Sequence, residues 1–218
     1  MWENISPRIP KQTGSLLRVP RQLVDEDDPA FTEPTKPIGP YYPDGPAQTY
    51  MSQGWKMRKI PARGWRRLVP SPRPMKVVES EGIRIAFQSG IIPIAAGGGG
   101  IPVTEKEGVL KGVDAVVDKD LSAGLLAREL GLERFVILTD VDGVYLGWGR
   151  QDKKRLGLLT ARDAERYLLE GQFLPGSMGP KIEAAVRFIE AGGEDVVIAR
   201  TEDVKEAMEG KAGTRIVP

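Results

Sequence analysis

The chain has 218 residues, 40% of them apolar, enough for one domain with a buried core and a substantial excursion. Its 31 basic residues nearly balance 30 acidic ones, so no global field draws it to nucleic acid or to an anionic membrane. Cysteine and histidine are both absent, which excludes disulfides, thiolate metal sites, a cysteine nucleophile and the commonest general base and metal ligand; no protein metal site is expected.

In chain order, residues 1–20 come first. Pro7, Pro10 and Pro20 interrupt any helix there and no apolar period survives, so the stretch reads as a poorly ordered leader. It has no continuous apolar run of the secretory kind. No run anywhere approaches the ~20 residues of a membrane span, so the cytoplasm is the default location. Residues 21–75 hold most of the 18 prolines and read as a loop-rich excursion rather than a layer of the core. Val77 to Gln88 reads as a helix, with Val78, Ile85 and Phe87 among its apolar positions and Gly90 as its stop. Ile91 to Ala96 is a buried strand that runs into a loop, Gly97 to Gly100. Val113 to Val117 is a short apolar segment. Leu121 to Leu130 is a helix with Leu121, Leu125 and Leu126 on its apolar face, and Phe135 to Leu138 is a strand. Thr160 opens a helix, with Asp163 as a cap partner, that reaches Leu169. Lys181 to Ala191 is a third clear helix, with Ile182, Ala185, Val186 and Ile189 at helical spacing. Val196 to Ala199 is a strand, Glu202 to Met208 a helix and Thr214 to Val217 a last strand. This alternation predicts an α/β fold, an open and mainly parallel sheet between helical layers.

Two strand ends carry the functional signal. The apolar strand ending at Leu138 gives way to Thr139, Asp140 and Asp142, and ligands of open parallel sheets bind beyond such carboxyl ends. The strand ending at Ala96 meets four glycines, Gly97, Gly98, Gly99 and Gly100, whose backbone N–H groups can approach an anion. A plain turn needs fewer glycines, and no Walker A sequence follows. Asp118-Lys119-Asp120 opens a helix, where Asp120 reads either as an N-cap or as a partner of Lys119. A lysine is misplaced at the positive end of a helix dipole unless it meets an anion. The same mismatch recurs at Lys181, after Gly176-Ser177-Met178-Gly179-Pro180. With neither histidine nor cysteine, phosphoryl transfer suits the available groups, because it asks mainly for positioning and positive charge. The segment from Lys56 to Arg67 interleaves basic residues with Trp55 and Trp65, but in a near-neutral chain nucleic acid is the weaker reading, against arginines tied to backbone carbonyls.

Several runs together resemble carbamate kinases. They are Asp28-Pro29-Ala30-Phe31, Pro34-Thr35-Lys36-Pro37-Ile38-Gly39-Pro40, Arg66 to Pro72, Gly97 to Val103, Asp118-Lys119-Asp120, Leu138 to Tyr145 and Gly176 to Lys181, in the family's order. The resemblance covers residues 21–218. It implies the amino-acid kinase fold, with a small subdomain at 41–66 protruding over the active site. It implies reversible transfer between carbamoyl phosphate and ADP, giving ATP and carbamate, with Mg2+, in a cytoplasmic homodimer serving arginine and carbamoyl phosphate catabolism. By resemblance, Lys36 reaches carbamoyl phosphate, and Gly97 to Gly100 face the small substrate. Lys119 and Lys181 neutralise the transferring group, and Asp120 orients them. Thr139, Asp140, Val141, Asp142, Tyr145 and Met178 border the nucleotide.

One departure stands out. The family carries an early Gly-Gly-Asn loop and a later His-Gly-Asn-Gly-Pro loop, and the 218 residues contain neither. The chain therefore reads as a carbamate kinase lacking its N-terminal part, with weak or undetectable ATP synthesis expected. A non-catalytic nucleotide-binding remnant is the alternative, and another acyl-phosphate-forming kinase is disfavoured by the Pro-Thr-Lys-Pro run.

Overall fold

The computed structural model describes residues 14–218. The largest sheet takes four strands in the order β10 (Arg134–Thr139), β14 (Asp195–Arg200), β15 (Thr214–Val217) and β13 (Leu158–Thr160). A second takes β6 (Pro74–Val77), β2 (Arg21–Val24), β8 (Ile101–Lys106) and β9 (Val109–Gly112). A two-stranded sheet joins β1 (Ser15–Arg18) to β7 (Ile92–Ala95). Parallel pairing links β1 to β7, β2 to β8, β10 to β14 and β13 to β15, and the two larger sheets add the antiparallel pairs β14–β15, β2–β6 and β8–β9. Of the six α-helices among the described residues, five pack on this framework and α1 (Asp44–Ser52) belongs to the small sheet described below, an α/β arrangement as expected.

The main core forms where α5 (Met178–Glu190) crosses the first sheet. Its buried stripe of Ile182, Ala185, Val186, Phe188 and Ile189 meets Phe135 and Ile137 of β10, Val196 and Ile198 of β14, and Ile216 of β15. Those strands read as apolar runs because helices or other strands cover both faces. α4 (Ala161–Leu169) adds Ala164, and its N-cap Thr160 accepts from Asp163 N at 3.1 Å, the cap read from sequence. α3 (Lys119–Glu129) packs between α5 and a smaller cluster of Val77, Ile83 and Leu125.

Several sequence expectations change. The leader gives way at Ser15, where β1 pairs in register with Ile92 to Ala95; residues 1–13 lie outside the described residues. Residues 21–75 are not mainly loop, since β2 lies inside a sheet with Gln22 and Val24 buried. The helix expected from Val77 starts at Ser80 as α2 (Ser80–Gln88), because Val77 still pairs with Gln22 and donates its N–H to Glu129. Its buried positions are Ile83 and Ala86, while Ile85 and Phe87 are exposed. α5 starts at Met178, three residues early, and α6 (Val204–Met208) is shortened by a 3-10 turn over Thr201–Asp203.

The proline-rich excursion is a small antiparallel sheet of β3 (Lys36–Tyr42), β5 (Gly64–Val69) and β4 (Met57–Ile60), with α1 (Asp44–Ser52). Tyr50 stacks on Trp55 with centroids 4.4 Å apart, and Tyr42 meets both rings edge-on. Several of its basic residues have partners within the small sheet. Arg66 donates to Gly39 O at 3.1 Å, Lys59 to Asp44 at 2.9 Å, and Arg67 lies over Trp55. Arg66 thus has the backbone tie considered from sequence, while Lys59 meets a carboxylate and Arg67 a ring face instead.

Candidate active site

The start of α3 concentrates the charge. Asp118, not Asp120, is the N-cap: its Oδ1 accepts from Asp120 N at 2.9 Å and Leu121 N at 3.4 Å. Its Oδ2 accepts from Lys36 Nζ, delivered by the first residue of β3. Asp120 is thereby free for another task. Its Oδ1 takes Lys119 Nζ at 2.8 Å and its Oδ2 takes Lys181 Nζ at 2.7 Å. One carboxylate thus bridges two lysines from different helices. Asp120 is 6% exposed and Lys181 8%, whereas the Lys119 side chain is 60% exposed. Burying such charges is costly and is repaid only by close geometry, which every member has here. Three ammonium groups face two carboxylates, leaving one net positive charge.

The local pKa values follow. Burial alone would raise Asp118, but the Lys36 ammonium and the capped N–H groups outweigh it and hold the carboxyl below its ordinary range. Desolvation opposes the charge on Lys119, yet the Asp120 and Asp118 carboxylates raise its pKa above that of a free lysine.

The glycine loop lies against this segment. A Cβ on Gly99 would sit 1.8 Å from Val117 O, and one on Gly100, whose φ is +82°, would sit 2.6 Å from Pro20 O. Backbone approach therefore explains two of the four glycines. Gly97 and Gly98 are exposed and face open space. The loop comes within one residue of the Asp118 cap, through Val117.

A cleft of about 180 Å³ opens at the carboxyl end of β10. Thr139, Asp140, Val141, Tyr145 and Met178 line it, five of the six residues expected on the nucleotide side. Asp142 stands behind them. It accepts from the Tyr145 hydroxyl at 2.9 Å, which raises the tyrosine's pKa, and lies 3.4 Å from Arg155 Nε. Trp148, Phe173, Leu174 and Gln172 also line the cleft and were not expected. Trp148, beside Gly147 and Gly149, was the one with a visible signal, an aromatic in a glycine-rich turn; it meets Tyr145 at 5.3 Å between centroids. The others follow the stop of α4 and share no period.

Thr214 is a further missed residue. Fully buried, it accepts from Val144 N at 2.8 Å and donates to Leu156 O. It fixes the start of β11 (Val144–Leu146), and so Tyr145, against β12 (Lys154–Leu156) and β15.

Cleft and charge cluster share one helix. Met178 and Lys181 lie three residues apart at the start of α5, hence on one face. Ser177 makes no side-chain capping bond there, so the positive helix end keeps its anion-binding character. A Cβ on Gly176 would lie 4.0 Å from Pro37 Cδ, so this loop also neighbours the base of β3.

Comparison with known proteins fits this geometry. The sequence model of the amino acid kinase family matches residues 47–200. The carbamate kinase of Thermoplasma acidophilum is 44% identical over 216 residues, covering 99% of this chain and 70% of the relative. That of Thermococcus kodakarensis is 48% identical over 200 residues, covering 91% of this chain and 64% of the relative. The structure of Giardia lamblia carbamate kinase bound to AMP-PNP matches with a TM-score of 0.84 at 36% identity, covering 99% of this chain and 69% of that one. The chain spans only 65% of the Thermoplasma volcanium carbamate kinase, to which it is 46% identical over 92% of its own length.

Proposed function

Since the chain belongs to the carbamate kinases, within the amino acid kinase family, we propose that its site transfers a phosphoryl group between carbamoyl phosphate and ADP, giving carbamate and ATP. The observation that carries this reading is the Asp120 carboxylate gripping Lys119 and Lys181, one helical turn from the cleft. Phosphoryl transfer needs fixed positive charge on the oxygens of the moving group and aligned partners, and little else. Lys119 and Lys181 neutralise those oxygens, and Asp120 keeps both ammonium groups from drifting. Lys36 meets carbamoyl phosphate, and of the two exposed glycines Gly98 offers its backbone N–H, since that of Gly97 already donates to Ala95 O at 3.2 Å. Thr139, Asp140, Val141, Tyr145 and Met178 hold ADP, with Asp142 bracing Tyr145.

In this reading the nucleotide would be bound together with Mg2+. No cluster of three or more carboxylates able to hold an ion occurs among the described residues. An ion bound with the nucleotide would be held mainly by phosphate oxygens and water, with one or two protein carboxylates. Asp140, lining the cleft, would be the carboxylate nearest to such an ion. When bound, the ion offsets charge on the phosphates. The same reading carries a homodimer and a cytoplasmic role in arginine and carbamoyl phosphate catabolism. No helix among the described residues is long and apolar enough to cross a membrane.

One observation favours slow turnover, with nucleotide binding retained. The 218 residues contain no histidine and neither of the two Asn-containing loops, whose N–H groups would serve the moving phosphoryl group. Loss of one such donor costs about 100- to 1000-fold in rate. ATP formation from carbamoyl phosphate and ADP, compared between the chain and its Lys181→Ala variant, tests the reading. Equal rates in both would reject it.

A further inference from the structure

We propose that Asp118 is a positioning residue that holds the Lys36 ammonium in place for an anionic substrate. The proposal rests on Lys36 contacting carbamoyl phosphate, and it assigns Asp118 a task beyond capping α3. A helix N-cap needs only an acceptor, and Asn or Ser serves as well as Asp. A charge at 5% exposure is not explained by capping. It is explained by Lys36, whose ammonium sits on Asp118 Oδ2 while Oδ1 is fixed by two backbone N–H groups. The carboxylate cannot swing away with the lysine, so it sets where the ammonium stands.

Lys36 needs such an anchor. It comes from the small sheet, not from the helices that carry Lys119 and Lys181, and a lysine stem has many rotamers to lose on ordering. Asp118 uses one of the three ammonium donors and leaves two for a phosphate or carbamate oxygen. Its charge also stands between Lys36 and Lys119, which would otherwise repel one another. The ion pair thus ties the small sheet to the start of α3 in the geometry that carbamoyl phosphate requires.

The test is Asp118→Asn, which keeps an N-cap side chain and removes the charge. Carbamoyl phosphate and ADP are titrated separately into the 218-residue chain by phosphorus NMR, and acetylation of Lys36 is timed by mass spectrometry. The expected result is a carbamoyl phosphate Kd raised about tenfold, the loss of one charge-assisted bond. ADP affinity should stay unchanged, the thermal midpoint should fall only by the share the ion pair contributes, and Lys36 should acetylate several-fold faster than in the parent. Lys36→Ala combined with Asp118→Asn should bind no more weakly than Lys36→Ala alone. Unchanged or tighter carbamoyl phosphate binding in Asp118→Asn, with binding weakened by Lys36→Ala, overturns the proposal. If Lys36→Ala leaves carbamoyl phosphate binding intact, the underlying reading of Lys36 fails instead, and the acetylation rate still decides whether Asp118 holds the lysine. Should the Asn variant not fold, Lys36 in the parent chain must acetylate more slowly than exposed Lys59; equal rates overturn the proposal.

Discussion

Lys181 and Lys119 share one carboxylate but differ in burial, and that difference predicts their weights. Lys181→Ala should lower turnover by at least about 100-fold, as for loss of a preorganised electrostatic donor, and Lys181→Arg should rescue only in part. Steady-state rates for the three proteins decide this; unchanged turnover in Lys181→Ala removes the residue from the mechanism. Lys36→Ala should weaken carbamoyl phosphate binding far more than ADP binding, measured by separate titrations, and an equal loss of both contradicts its role. Asp118 adds a pH signature. Its folded pKa lies below the unfolded value of about 3.9, so its stabilisation is present above that pH and is lost as pH falls through the folded pKa. Asp118→Asn should therefore flatten the acid limb of a stability-against-pH curve, and an unaltered limb would show the ion pair contributes nothing. At this scale Lys119 and Lys181 stood out in the sequence, because a cation at a positive helix end calls for an anion, and Asp120 is the one both meet; Lys36 stood out only by resemblance. Asp118 was not assigned, because an aspartate before a helix has an ordinary explanation, and only the Lys36 contact from 82 positions away exposes the other.

The long helices were readable because each covers several turns with a stop glycine behind it. α4 and α5 follow their apolar spacing, and Thr160 caps as expected. The short strands β8, β9, β11, β12 and β13 were missed, since three to six residues carry no dependable period and their register is set by distant partners. The α2 error has a similar cause. Both Ile83 and Ile85 are apolar, and only packing against Val77 and Leu125 selects Ile83. The β11–β12 hairpin depends on Thr214 in the same long-range way. Thr214→Val keeps shape but removes an acceptor from Val144 N and a donor to Leu156 O. It should destabilise the protein by about 1–3 kcal/mol through unsatisfied buried backbone groups, and weaken ADP binding through Tyr145. Thermal unfolding and an ADP titration check both; a variant as stable as the parent would deny Thr214 this role.

Across the whole molecule, the site draws on the sheet of β10, the starts of α3 and α5, the small sheet and the glycine loop, so its parts meet only in the folded chain. One region is less well covered. β1 and β7 pair only with each other among the described residues, and Leu17, Ile92 and Ile94 are exposed on them. Unpaired edges and exposed aliphatic surface favour association. The chain should self-associate with rising concentration in sedimentation, and Leu17→Lys with Ile94→Lys should reduce this; a sharp monomer at every concentration would contradict it. The most direct test of the account is ATP production by the purified 218-residue chain with carbamoyl phosphate and ADP, followed with a sensitive luminescent readout. The account predicts ATP above the protein-free rate, at least about 100-fold below the usual turnover range of roughly 1–1000 per second, and abolished by Lys181→Ala. ATP formation that is absent from the parent chain, or undiminished in Lys181→Ala, would contradict it.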